Sequence, residues 1–198
     1  MKFSLLVFCI WALFSCTGKD KVSAPVVSTP VAEPSVDTAE NYFPVTNYIK
    51  GQIAEIRERG LNPLMIVLQN GRSDSSWLRV EDFEKQFAPY LTPVIDTANF
   101  KSLFKETKFE DQSLDTYTWS YEPYKTLPDT FTLKRWDVYV SPATSKVVRV
   151  YWMKETGKNA QEQLMWNSGS SCKMVQLHEQ NGNIVVDKEI IIKWDFNE

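Results

Sequence analysis

The sequence predicts an α+β domain in which two or three N-terminal helices pack on a mainly antiparallel, meandering sheet built from the C-terminal half. Two observations carry this expectation. Before Lys105 the apolar residues recur at three- and four-residue spacing, the period of one helix face, and after it they recur at every second residue, the period of a strand. Turn-forming residues separate the later segments at short intervals, as hairpin connections require.

The first segment is not part of that domain. Lys2 precedes an apolar run, FSLLVFCIWALF at 3–14, which is shorter than the roughly 20 residues needed to span a bilayer and reads as a signal peptide. Leu13, Ser15 and Cys16 resemble the bacterial lipobox, in which the cysteine after the cut receives lipid; Phe14 departs from that pattern, where a smaller residue is commoner. The expectation is that residues 1–15 are removed and that Cys16 is lipidated, with an ordinary secretory cut near Ser15 as the alternative. Several acyl chains on one cysteine would make the membrane attachment stable where one chain is marginal. Residues 16–42 then form a tether: Pro25, Pro30 and Pro34 recur in KVSAPVVSTPVAEPSVDTAE, a composition that favours extended chain at roughly 3 Å per residue.

The domain itself is expected over residues 43–198. Val45, Ile49, Ile53 and Ile56 mark an amphipathic helix that Gly60 stops, and Leu64 to Leu68 lead into Asn70-Gly71, a strong hairpin signal. Trp77, Val80, Phe83, Phe87 and Leu91 follow helical spacing up to Pro89 and Pro93, and Phe100, Leu103 and Phe104 suggest a short third helix. The strands follow: Tyr117, Trp119 and Tyr121; Trp136, Val138 and Val140; Val148, Val150 and Trp152; Leu164 and Trp166; Val175 and Leu177; Ile190, Ile192 and Trp194. Turns are expected after Val140, at Ser168 to Ser171 and at Asn181-Gly182-Asn183.

Charge and residue usage exclude several function classes. Net charge is -3 and no Lys/Arg cluster occurs, so nucleic acid, which demands a basic face, is not an expected partner. Lys134 and Arg135 are adjacent on a strand and point to opposite faces. Cys9 lies in the leader and Cys16 is the anchor, which leaves Cys172 as an unpaired thiol read as a small buried apolar group. His178 is the single histidine, so histidine-based zinc sets lack ligands, and no metal or other cofactor is expected. Beside the Asn181-Gly182 turn it reads as a solvated hairpin residue, with a catalytic base as the second reading. Ser168-Gly169-Ser170-Ser171-Cys172 lacks the flanking glycines of a nucleophile elbow. The carboxylate pairs Glu81 and Asp82, Glu110 and Asp111, and Asp187 and Glu189 fit solvated surfaces, and an enzyme using acidic residues is the minor alternative.

The aromatic row is the strongest candidate for contact with a ligand or partner. Tyr117, Trp119 and Tyr121 project from one face of one strand, where rings can stack on sugars, hold an apolar ligand or anchor a protein. The same rings can equally form core beneath the helices, and spacing leaves both readings open.

NGRSDSSWLRVEDFEKQFAPYLTPVID from Asn70 to Asp96, WDVYVSPATSKVVRVYW at 136–152 and QLMWNSGSSCKM at 163–174 resemble lipoproteins of unassigned function from Bacteroidota. The resemblance covers most of residues 43–198 and implies a cell-envelope address without supplying catalytic residues. Lys19 and Asp20 match in part the signal for surface export in that phylum, so periplasmic and surface-facing placement both remain open. The combined reading is a non-enzymatic envelope lipoprotein, held to the membrane by its lipid, that binds an envelope protein; glycan or lipid binding through the aromatic row is the alternative. Mass spectrometry of the membrane-extracted protein should find a mature chain that begins at an acylated Cys16. Retention of Met1, or an unmodified Cys16, overturns the anchor.

Overall fold

A computed structural model describes residues 42–128 and 130–196; Cys16 and the expected leader and tether lie outside the described residues, apart from Tyr42. The described chain is mostly β: two helices longer than one turn accompany a nine-stranded antiparallel sheet. In chain order these are α1 (Val45–Glu58), β1 (Leu64–Gln69), β2 (Arg72–Trp77), α2 (Phe83–Leu91), a single turn α3 (Thr97–Phe100), and then β3 (Phe104–Asp111), β4 (Thr116–Pro123), β5 (Leu133–Val140), β6 (Val147–Gly157), β7 (Ala160–Asn167), β8 (Ser171–Gln180) and β9 (Asn183–Lys193).

The first helix starts at Pro44, whose carbonyl accepts from the Tyr48 amide, and buries Val45, Ile49, Ile53 and Ile56 on one stripe. It ends in a left-handed cap. Gly60 has φ 64°, its amide donates to the Arg57 carbonyl, and the Leu61 amide reaches back to Ile56 at 3.2 Å, which is the bond pattern of a Schellman motif. A side chain at Gly60 would strain that φ. Thr46, also buried, accepts at Oγ1 from the Ile95 amide at 2.7 Å and so ties α1 to the segment after α2.

Asn70 and Gly71 both take positive φ, 53° and 70°, as a type I′ turn needs, and β1 pairs with β2 from Leu64↔Trp77 to Gln69↔Arg72. Trp77 therefore ends a strand and does not begin the second helix, which opens with a 3-10 turn at Val80–Asp82. Pro89 lies inside α2. It sits in the last turn, where carbonyls lack intrahelical partners, and its own carbonyl accepts a hydrogen bond from Lys154 Nζ. The expected third helix shrinks to one turn. Phe104 belongs to β3, an element that residue spacing did not show because FKETKFED is charged at most positions.

Strand order is β2-β1-β9-β8-β7-β6-β5-β4-β3. From β3 to β9 this is a meander. The N-terminal hairpin then joins the far side, with Leu64↔Lys193 to Gln69↔Lys188 pairing β1 to β9, so the sheet is not built from the C-terminal half alone. The outermost strand β2 is exposed along its length, and Asp74 Oδ1 accepts from the amide of Ser75 at 2.8 Å, which occupies one of its unpaired donors.

Residues directly opposite in antiparallel strands share a face, and the register divides the sheet sharply. One row runs Tyr121, Trp136, Trp152, Leu164, Met174, Ile190, Val67; the next runs Trp119, Val138, Val150, Trp166, Cys172, Ile192, Met65. This first face holds the core. Trp136, Trp152 and Trp166 are buried on it, and α2 sets Phe87 against Trp166 and Trp194 and Tyr90 against Trp152 and Trp166, all with ring centroids within 6.3 Å.

Cys172 lies within this packing, fully enclosed beside Tyr90. Burial pushes its thiol from 9.0 up to about 12, with the Tyr90 hydrogen bond pulling modestly the other way. Between those values the folded chain keeps a proton that the unfolded chain has released, so this group's stabilisation is full below about pH 9 and falls as pH rises. Urea unfolding from pH 8 to 10.5 should show Cys172→Ala with a shallower alkaline loss than the parent, by up to about 1.4 kcal/mol per pH unit. Parallel curves would show that the thiol is not held protonated.

Candidate functional site

The alternation that buries Trp136, Val138 and Val140 sends Arg135, Asp137 and Tyr139 to the opposite, second face. Neighbouring strands add Thr118 and Ser120 from β4, Arg149, Tyr151 and Met153 from β6, and Met165 and Asn167 from β7. Farther across, Lys173 of β8, Ile191 of β9 and Ile66 of β1 continue the row that passes through Tyr151 and Asp137. None of the hydrogen bonds, ion pairs or ring contacts described for α1 or α2 reaches these side chains.

Despite this, Asp137 is only 2% exposed. A buried carboxylate must be paired, and it is. Ser120 Oγ donates to its Oδ1 at 2.6 Å, and Arg135 Nε lies 3.1 and 3.0 Å from its two oxygens. Arg135 Nη1 also reaches Glu122 Oε1 at 3.2 Å. One guanidinium thus bridges a sunken and a half-exposed carboxylate. Half-burial raises the phenols of Tyr139 and Tyr151, and the Asp137 charge adds to the shift, so both remain O–H donors at neutral pH.

A second polar chain lies next to it. Arg149 Nε donates to Asn167 Oδ1 at 3.1 Å, Asn167 Nδ2 donates to Ser171 Oγ at 3.1 Å, and the guanidinium carbon stands 5.7 Å from the Tyr139 ring centroid. Arg149, Tyr139, Thr116, Leu114 and Val148 line a partly open cavity of about 110 Å³. The Oγ1 atoms of Thr116 and Thr118 are buried with no hydrogen-bond partner.

The aromatic row is divided between core and surface. Tyr121 is fully buried, stacked on Trp136 at 4.6 Å and 9°, and accepts from the Phe43 amide. Burial, with the Glu106 carboxylate adding to it, raises its phenol strongly. Trp119 is half-buried, with Phe43 at 6.0 Å and Lys108 Nζ 5.3 Å over its ring. Tyr117, at 47%, is exposed.

Comparison with protein-family models, curated proteins and solved structures finds no match to this chain. The site must therefore be read from its own chemistry.

The remaining candidates are dispersed. His178 Nδ1 lies 2.8 and 2.9 Å from the two oxygens of Asp187, brought within reach by a bulge between Gln176 and Leu177. It borders a cavity of about 380 Å³ with Glu155, Asn159 and Glu179, where no hydroxyl or thiol side chain is present for it to activate. Ser168 Oγ is 2.6 Å from the Tyr48 hydroxyl. Burial raises that phenol, so it keeps its proton and clamps the β7–β8 loop to α1 together with Gln52, which accepts from the Gly169 amide. Glu81 and Asp82 face Arg79, Asp111 closes its own turn through Ser113 and Leu114, and Glu189 pairs with Lys173 at 2.7 Å. Among the described residues no three His, Cys, Asp or Glu side chains converge on a metal position.

Sequence reasoning missed Ser120, Asp137 and Arg149, although Arg-Trp-Asp-Val-Tyr at 135–139 alternates charged or phenolic with apolar residues. Asp137→Asn should cost about 1–3 kcal/mol in urea unfolding, because one charge-assisted partner of Arg135 is weakened while Glu122 remains. An unchanged midpoint would show that the sunken carboxylate contributes nothing to stability.

Proposed function

We propose that this chain is a membrane-anchored envelope lipoprotein whose folded part is a non-enzymatic binding module. In this reading the helices close the first face of the sheet and leave the second for recognition. The observation that carries it is a charged and phenolic network around Asp137, sunk among half-exposed Tyr139, Tyr151, Met153 and Met165, on a face to which no described helix contact extends. Tyr, Met and Arg are the side chains enriched where proteins meet partners. A fixed ion-pair network gives such a surface direction and register as well as contact area.

The expected leader, Cys16 and Pro-rich tether support the envelope address. No helix among the described residues is long and apolar enough to cross a membrane, and Cys16 is the attachment this reading supplies. Glycan or lipid binding through the aromatic row is the second reading, favoured by the exposure of Tyr117 and by the charged side chain of Lys108 beside Trp119. An enzyme with acidic catalytic residues has weaker support, since Glu81, Asp82, Asp187 and Glu189 bond to basic side chains or to His178, and Asp111 bonds to its own turn.

The test uses the full chain in its own membrane. A photo-crosslinking phenylalanine analogue at Tyr151 should give one discrete adduct with an envelope protein, whereas the same analogue at exposed Lys50 of α1 should give none. Equal labelling at both positions, or labelling at Lys50 alone, overturns recognition by the second face. Adducts at Tyr117 alone would favour the aromatic row.

A further inference from the structure

Two cations on the second face have a described counter-charge. Arg135 has Glu122 and Asp137, and Lys173 has Glu189. Among the described residues, Arg149 has neither carboxylate nor carbonyl on its terminal nitrogens. Its Nε is spent on Asn167, and its plane is held near the face of Tyr139, so both Nη groups are left as a fixed fork of donors. A rigid guanidinium with an unused fork matches one kind of group especially well: a planar oxyanion that only accepts hydrogen bonds.

The cavity beside it narrows the choice. Leu114 and Val148 give it aliphatic walls, the Tyr139 ring gives it an aromatic one, and Thr116 completes the lining. A cavity of about 150 Å³ accommodates benzene, with six heavy atoms. In proportion, ≈ 110 Å³ takes about four or five. Asp111, paired across from Thr116 on β3, disfavours a doubly charged ligand. Its own Oδ1 is committed to the amides of Ser113 and Leu114 and to the Ser113 hydroxyl.

We propose that the Arg149 cavity binds a short aliphatic monocarboxylate, its carboxylate on the Arg149 fork and its alkyl tail against Leu114, Val148 and Tyr139. The carboxylate comes either from a free small acid or from the C-terminus of a peptide ending in a small aliphatic residue. The proposal names a ligand class for one end of the second face and rests on the reading of that face as the recognition surface.

Propionate, with five heavy atoms, is the probe. Two-dimensional NMR of the full chain in detergent should show saturable shifts at Arg149, Tyr139 and Leu114, with a dissociation constant on the order of 1 mM. Propionamide, of the same shape but uncharged, should give none at equal concentration. Arg149→Gln should weaken binding at least about tenfold, with a dispersed spectrum showing that the variant is folded. Arg149→Lys, which keeps the charge and loses the fork, should fall between the parent and Arg149→Gln.

Equal responses to propionate and propionamide, or no response at 50-fold the expected constant (about 50 mM), overturn the site on the parent protein without any variant. N-acetyl-Ala-Val with a free carboxylate identifies the source: tighter binding than propionate assigns a peptide C-terminus, and equal or weaker binding assigns a free acid. Crosslinking at Tyr151 without propionate binding removes this cavity and leaves the recognition face. Propionate binding without crosslinking removes the protein partner and leaves the cavity.

Discussion

The register that keeps Trp136, Trp152 and Trp166 on one side of the sheet is the constraint from which the other features follow. The side-chain period of a strand is two, so a slip of one residue would carry all three indoles out of the core and bring Arg135, Tyr151 and Met165 in. Burying a large aromatic side chain is worth several kcal/mol and burying an unpaired guanidinium costs more, which makes the alternative register inaccessible. Trp136 concentrates the effect. Tyr42, Phe100, Phe104 and Tyr121 all lie within 6.2 Å of it by ring centroid, so one side chain joins the start of the described chain, the α3 turn, the edge strand β3 and the strand β4.

The second face is the other side of the same constraint. Asp137 lies between Trp136 and Val138 in sequence, and the packing of those two residues against the core determines where its carboxylate points. Ser120 is aligned by the same register, opposite Asp137 and one residue from Tyr121. The polar network is therefore positioned by strands whose other face is densely packed, which gives it a rigid base. Exposed Trp77 and Phe196, 5.9 Å apart at the β2 end, have no such support from the buried cluster.

Much of the strand pattern was legible in sequence because it is local. Alternating apolar residues marked β4 to β9, Asn70-Gly71 and Asn181-Gly182 marked two turns, and Ile49, Ile53 and Ile56 marked α1. The misses have physical causes. β3 is an edge strand whose charged residues protect it from further pairing, which erases the apolar alternation that marks inner strands. The pairing of β1 with β9 spans more than one hundred residues, and no local spacing encodes it. Trp77 satisfied a helical period by coincidence, since its neighbours in space are Leu64 and Phe196. The candidate site was hidden for a related reason. Arg135, Asp137 and Arg149 are ordinary surface residues in one dimension, and only cross-strand register sets Asp137 between Ser120 and Tyr151 and Arg149 opposite Asn167.

The position of β9 between β8 and β1 bears on the order in which the chain can fold. The β1–β2 hairpin is made early, but a two-stranded hairpin alone is marginal in water. The strand it must join, Asn183–Lys193, follows more than one hundred residues later in the chain. During vectorial synthesis the sheet therefore stays incomplete, with the hairpin waiting for a partner, until β9 has emerged. Non-local pairing of this kind slows folding. Until β9 arrives, the edge of β1 that it covers has no strand partner on that side.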